Sequence, residues 1–210
     1  MGQYSIQGPE CRVSFWTGWD GKENDDGKLK YGAALLFPKG EHLLALKALG
    51  TQILTDKFGS DKTKWPKGFH KPWRDAGEKD ANNPNRNEED GKPYDGYEMG
   101  ALYINCNGAD EPPEVVDHNV QPILDKKLVY SGCYGIPQID MYWFEFKNKA
   151  GVVIKKGLST SLTHFMKTRD GEPLGAPPRA KASAVFKPVA VDNKKGAAAV
   201  FAEDDEDPMA

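Results

Sequence analysis

Cysteine is scarce in this chain: Cys11, Cys106 and Cys133 are the whole supply. They are odd in number, far apart and form no C-x-x-C pair, which excludes a disulfide framework and a paired-cysteine zinc site. The four histidines, His42, His70, His118 and His164, show no metal-ligand spacing. Long apolar runs are also missing. The longest, "YGAALLF", is strand-sized, far short of the roughly 20 residues that cross a bilayer. The start, "MGQYSIQGPE", has neither a basic opening nor an apolar stretch, so no secretory signal is expected. Gly2 lacks the downstream Ser or Thr that myristoylation prefers. A soluble, intracellular protein without a membrane partner is the expectation. The phosphate-binding, dinucleotide-binding and nucleophile-elbow motifs are absent too. Asp25-Asp26 and Glu88-Glu89 sit in turn-like stretches, and Asp140 is the lone acid of the long central strand. A metal-dependent nuclease needs several carboxylates converging from core strands, so catalysis is not expected.

Charge of one sign is concentrated at one end. The net charge is −3, yet five acids stand together at 203–207. Without them 28 basic residues face 26 acidic ones, a balance of +2. Glu203, Asp204, Asp205, Glu206 and Asp207, followed by Pro208 and Met209, form a self-repelling block of the kind used as an interaction tail. The chain therefore divides into a folded domain over 1–188 and a disordered linker with an acidic tail over 189–210. The apolar fraction of 39% suits a modest core with polar excursions.

Strand signals dominate the rest. "RVSFWTGW" (12–19), the turn "DGKENDDGK" (20–28) and "LKYGAALLF" (29–37) predict a hairpin. Alternation points Val13, Phe15, Leu29, Tyr31, Ala33 and Leu35 inward, and Arg12, Ser14, Trp16, Lys28 and Lys30 outward. Leu43, Leu46, Leu49, Ile53 and Leu54 predict one amphipathic helix over 41–58. Residues 59–96 lack apolar periodicity, and so long an excursion is functional or disordered. "YEMGALYINC" (97–106), "PEVVD" (113–117), the bent run 128–146 and residues 152–166 predict further strands. Ile139, Met141 and Trp143 should face inward; Tyr130, Tyr134, Gln138, Asp140 and Tyr142 should lie opposite. The expected fold is mainly β, an OB-like Greek-key barrel of five to six strands with one helix and a long loop. The helix follows the second strand, earlier than the usual OB order places it.

Within the loop, "KTKWPKGFHKPWR" (62–74) interleaves Lys62, Lys64, Lys67, Lys71 and Arg74 with Trp65, Phe69 and Trp73. Single-strand binders need cations along a phosphate path and aromatic faces for bases, each stacked base contributing about 1–3 kcal/mol. The outward strand face adds Tyr103, Tyr130, Tyr134 and Tyr142, with Arg12, Trp16, Lys28 and Lys30. Together these fifteen residues, Phe69 aside, are the candidate nucleic-acid contacts. Single-stranded RNA fits the same composition, because nothing in it reads a 2′-hydroxyl. A scaffold that binds no nucleic acid is the third class.

Several pieces in order resemble a family of tailed-phage single-stranded DNA-binding proteins with an OB-type core, long catalogued as a domain of unknown function. They are "RVSF" (12–15), "YGAALLFPK" (31–39), "KPWRDAGEK" (71–79), "YINC" and "VVDHNVQPILD" (within 103–125), "YSGCYG" (130–135) and "RDGEPLGAPP" (169–178). The likeness spans about residues 11–186. It implies sequence-independent binding of single strands in phage DNA replication or recombination, in the cytoplasm of the infected host. It implies no cofactor or metal, and it allows a homodimer. Trp73, Arg74, Tyr130 and Tyr134 fall in matched segments. "DDEDPMA" is similar to the acidic tip by which bacterial single-strand binding proteins recruit replication or recombination partners. That tip ends in Pro-Phe, whereas Met209 and Ala210 follow Pro208 here.

Overall fold

Turn residues and bulges divide the chain into short strands, and two long ones tie them together. The computed structural model describes residues 4–24, 26–38, 43–75, 93–97 and 101–175. Its strands are β1 (Ser5–Gln7), β2 (Cys11–Ser14), β3 (Lys22–Glu23), β4 (Leu29–Phe37), β5 (Trp73–Asp75), β6 (Leu102–Ala109), β7 (Glu114–Val116), β8 (Tyr134–Lys147) and β9 (Val153–Arg169). One helix, α1 (Leu44–Phe58), follows β4. The strands β8, β2, β4, β6 and β9 are joined in that order, and β9 pairs back onto β8, closing a five-stranded ring. Closure removes the exposed edges that a flat sheet of these strands would carry. β1 extends β8, β3 pairs β4, β5 pairs β6, and β7 lies parallel to β9. The OB-like barrel is thus present, with the helix between the second and third ring strands. All described residues belong to the compact unit Met1–Pro177. The acidic tail and its linker lie outside the described residues. No described helix is long and apolar enough to cross a membrane.

Alternation fills the barrel as expected on most strands. Val13, Ala33, Leu35, Ile104, Cys106, Ile139, Met141, Leu162 and Phe165 are all buried in one core. The three cysteines are free and buried; burial pushes the Cys106 thiol up to about 12, so it behaves as a packing group. Leu46, Gly50, Ile53 and Leu54 form the buried face of α1. At Gly50 an added Cβ would stand 3.0 Å from Leu158 and 3.2 Å from Trp73. The glycine that weakens the helix therefore lets it approach the barrel closely.

Two inward assignments are corrected. Phe15 has a φ of 48°, which ends the strand's regular alternation. Phe15 is consequently 51% exposed, and Trp16 turns in to meet Phe165 at 5.5 Å and Trp19 at 5.8 Å. The expected outward placement of Trp16 is therefore wrong. Leu29 is 46% exposed, because the β4–β6 register shifts between Tyr31 and Ala33. Gly32 sits at that shift with φ 145°, where any Cβ would fall 1.8 Å from the Cys106 carbonyl oxygen.

A second, smaller cluster lies outside the ring. Leu36 and Tyr103 point outward, yet Tyr97, Ala101 and Leu174 cover them. Tyr103 is 1% exposed, and Tyr97 meets it edge-on at 5.4 Å. Burial pushes the Tyr97 phenol up to about 12. Residues just after the long excursion, together with Leu174 beyond β9, thus strap the outer face of β4 and β6.

Candidate nucleic-acid interface

Strand register brings residues far apart in sequence into one line. Arg169 on β9 pairs with Tyr134 on β8, and Tyr134 pairs with Arg12 on β2. Arg12 pairs with Leu36 on β4, Leu36 with Tyr103 on β6, and Tyr103 with Arg74 on β5. Directly opposed residues share a face. The row Arg169–Tyr134–Arg12–Leu36–Tyr103–Arg74 therefore runs across the outside of six strands. Five steps of about 4.8 Å give it a length of about 24 Å. The strapping residues close the line over Leu36 and Tyr103, leaving both ends accessible.

The open end is a groove of about 340 Å³, lined by Glu10, Arg12, Leu36, Gly96, Tyr134 and Arg169, among others. Such a volume is at the small-ligand end of binding clefts. The Arg169 guanidinium carbon lies 3.4 Å from the Tyr134 ring centroid, and Arg12 approaches the same ring at 5.7 Å. Glu10 holds Arg169 in place, its Oε2 accepting from Nη2 at 3.2 Å. The Thr168 hydroxyl and Arg169 keep the Glu10 carboxyl below its usual range. Arg12 donates from Nε to the Gly132 carbonyl and from Nη2 to the Glu172 carbonyl at 2.6 Å. It thus ties β2 to the loops that carry Gly132 and Glu172, besides adding charge. Tyr130 donates to the Gly171 carbonyl at 2.9 Å, with the Lys167 ammonium 5.7 Å from its ring. A guanidinium plane stacked on a phenol is a surface on which a base can stack, and its edge can meet a phosphate.

The other sequence-predicted residues are placed elsewhere. Tyr103 is a correction: its ring is enclosed by Tyr97, Ala101 and Leu174 and has no free face. Trp16 is half-buried against the core, for the backbone reason given above. Trp65 and Trp73 are also half-buried against the core, beside α1. Trp65 donates from Nε1 to the Gly59 carbonyl at 2.8 Å, and Lys62 lies 5.8 Å from its ring. Lys64 pairs with Asp61 at 3.8 Å. The basic-aromatic loop is pinned: the His70 N–H reaches the Lys156 carbonyl, and the Leu158 N–H reaches the His70 carbonyl, each at 2.9 Å. Its tryptophans face the barrel while Lys67, Lys71 and Arg74 remain exposed. Lys28 is exposed and Lys30 pairs with Asp110, both a strand's length from Leu36. Tyr142 lines a separate groove of about 580 Å³ with Asp110, Glu111 and Glu114, the wrong sign of charge for phosphate.

Arg169 and Lys167 were missed by sequence reasoning. Arg169 opens "RDGEPLG", so its local motif was visible. Its partnership with Tyr134 depends on a register shift between Tyr134 and Gly135, which composition does not encode.

The family model described as "Enterobacter phage Enc34, ssDNA-binding protein" matches residues 5–197. No curated protein sequence matches the chain. Among solved structures, the single-stranded DNA-binding protein from bacteriophage Enc34 in complex with ssDNA is similar, with TM-score 0.57 and 22% identity over 83% of this chain and 91% of that one. Its C-terminal truncation gives 0.56 and 22%, over 82% and 90%. The single-stranded DNA-binding protein gp2.5 of bacteriophage T7 gives 0.51 and 10%, over 90% and 98%. At these identities the structural likeness shows a shared fold.

Proposed function

The chain belongs to the Enterobacter phage Enc34 ssDNA-binding protein family, and from that premise we propose that it coats single-stranded DNA without sequence preference during phage replication or recombination. It does so in the cytoplasm of the infected cell. The observation that carries this reading is the Arg169–Tyr134 stack in a groove at the end of the cross-strand row. Arg169 and Arg12 meet phosphates, Tyr134 and the guanidinium plane meet bases, and Arg74 continues the path. None of these contacts reads a base edge, so affinity follows backbone charge and stacking. Titration with oligo-dT, oligo-U and duplex DNA tests it. Tight dT binding with weak duplex binding is expected; equal affinity for duplex would overturn the reading.

Glu10 occupies the position on Arg169 that a phosphate would take. Glu10→Gln keeps a hydrogen-bond acceptor but removes the competing charge. Binding of oligo-dT at low salt should tighten by up to about fivefold, the scale of an exposed ion pair. The gain should vanish at high salt, where exposed charges are screened.

The acidic tail, Glu203 to Asp207 with Pro208 and Met209, recruits replication or recombination proteins in this reading. Deleting residues 203–210 should leave the melting temperature unchanged and abolish co-purification of such partners on single-stranded DNA. Retained partners would remove the tail from the mechanism.

A further inference from the structure

The longest strands do more than close the barrel. β8 and β9 stay paired to Lys147 and Val153, past the bridge of His70 to Gly157. Beyond it they form a two-stranded ribbon. The outer face of β8 carries Tyr142 short of that bridge, Phe144 at it and Phe146 beyond it, at two-residue spacing, about 6.6–6.8 Å apart. The residues opposite them are Ser159, Gly157 and Lys155. Ser159 is small, and the room left at Gly157 is taken by His70, which would stand 2.6 Å or closer to any Cβ there; Phe146, opposite Lys155, has no bulky apolar side chain across the strand. Phe146 is 62% exposed.

The charge around this face has the sign that phosphate needs. Lys155 shares this face with Phe146, and Lys147 and Lys149 stand at the ribbon's end, whereas Lys156 lies opposite the single acid Glu145. Glu145 turns to the other face, where it accepts from Trp143 Nε1 at 3.1 Å. His70 meets the Phe144 ring at 6.2 Å. Burial, then the charges of Arg74 and Lys155, hold its imidazole below the ordinary histidine value. Arg74, the last member of the cross-strand row, and Lys155 of the ribbon thus both act on His70. Tyr142 marks the other limit, since it borders the acidic groove.

We propose that Phe144 and Phe146, with His70 and Lys155, form a second base-stacking platform that takes up single-stranded DNA after it passes Arg74. This rests on the single-strand reading above and extends the bound length beyond the primary groove. Val152, Val153 and Ile154 at the tip have no π face, and a protein partner is the alternative occupant of the ribbon.

The test is binding of oligo-dT of about 4 and about 16 nucleotides, the range covered by one OB fold. The full-length protein carrying Phe144→Ala and Phe146→Ala is compared with one carrying Lys155→Glu. Both should lose at least about fivefold in affinity for the long oligonucleotide and nothing for the short one. The His70 imidazole protons should shift on adding the long oligonucleotide alone. Unchanged long-oligonucleotide affinity in both variants overturns the platform. So does an altered oligomeric state with unchanged DNA affinity, which would make the ribbon a protein-docking surface. Equal losses for both lengths would merge it with the primary groove and also overturn it. If the unaltered protein binds neither length, the single-strand reading itself fails.

Discussion

Tyr134→Ala should weaken binding of oligo-dT by about 1–3 kcal/mol, roughly 5- to 150-fold. Two effects combine at this position. The phenol ring disappears as a stacking surface, and the Arg169 guanidinium is deprived of the plane on which it rests at 3.4 Å. Arg169→Glu should cost a comparable amount by reversing a charge beside Glu10 and leaving two carboxylates together. The two substitutions act on one stack, so the double variant should fall short of their sum. Tyr134→Phe keeps the ring and should bind nearly as the native protein does. The ring is half-buried at the groove wall, outside the core cluster, so the melting temperature should change little in all of these. Fluorescence titration at several salt concentrations measures the effect. For each phosphate that the variant no longer neutralises, the slope of log K against log[salt] should become shallower by about 0.7. Unchanged affinity in folded Tyr134→Ala would move the interface away from this groove.

Much of the barrel was legible because alternation is a local property. Val13, Ile104 and Ile139 face inward as the polar residues beside them predict, and Leu35 joins them at its place in the alternation. The reading failed where one backbone angle changed phase. Phe15, with its positive φ, exchanged places with Trp16, and the shift at Gly32 released Leu29 to solvent. The helix was legible from its leucines, but the reason for Gly50 was not, since it lies in a close approach to Leu158 and Trp73.

The site was legible in composition and only partly in position. The outward strand face and the basic loop point to Tyr130, Tyr134, Arg12 and Arg74, and the structure brings Tyr134 and Arg12 together in one groove. The basic-aromatic loop misled for a physical reason. Its spacing of cations and tryptophans fits a surface loop and also fits an amphipathic edge segment. Trp73 sits opposite Ile104 in a short strand, which turns its ring to the core and leaves Arg74 outward. Arg169 became visible only through pairing across the β8–β9 hairpin. Phe144 and Phe146 stood in a run already assigned to strand, and nothing local says that the ribbon outlasts the barrel.

Tyr103→Ala should be among the most destabilising single substitutions in the protein, by about 3–5 kcal/mol, as for other fully buried aromatic rings. Composition marks Tyr103 as a base-stacking residue, so the result separates two roles for one side chain. Its ring is 1% exposed and packs edge-on against Tyr97 at 5.4 Å, under Ala101 and Leu174. Removing it leaves a cavity beneath segments that have few other apolar neighbours on the outer face of β4 and β6. At about 2–4 °C per kcal/mol for a chain of this size, the melting temperature should fall by roughly 6–20 °C. Tyr103→Phe keeps the packing and should melt within a few degrees of the native protein. Below its melting temperature the alanine variant should still bind oligo-dT through the Arg169–Tyr134 groove. Thermal melting followed by circular dichroism, paired with titration at low temperature, measures both properties. A variant that melts normally but loses single-strand affinity would show that the strap opens and that the ring meets a base. That outcome would restore the stacking role and overturn the packing one.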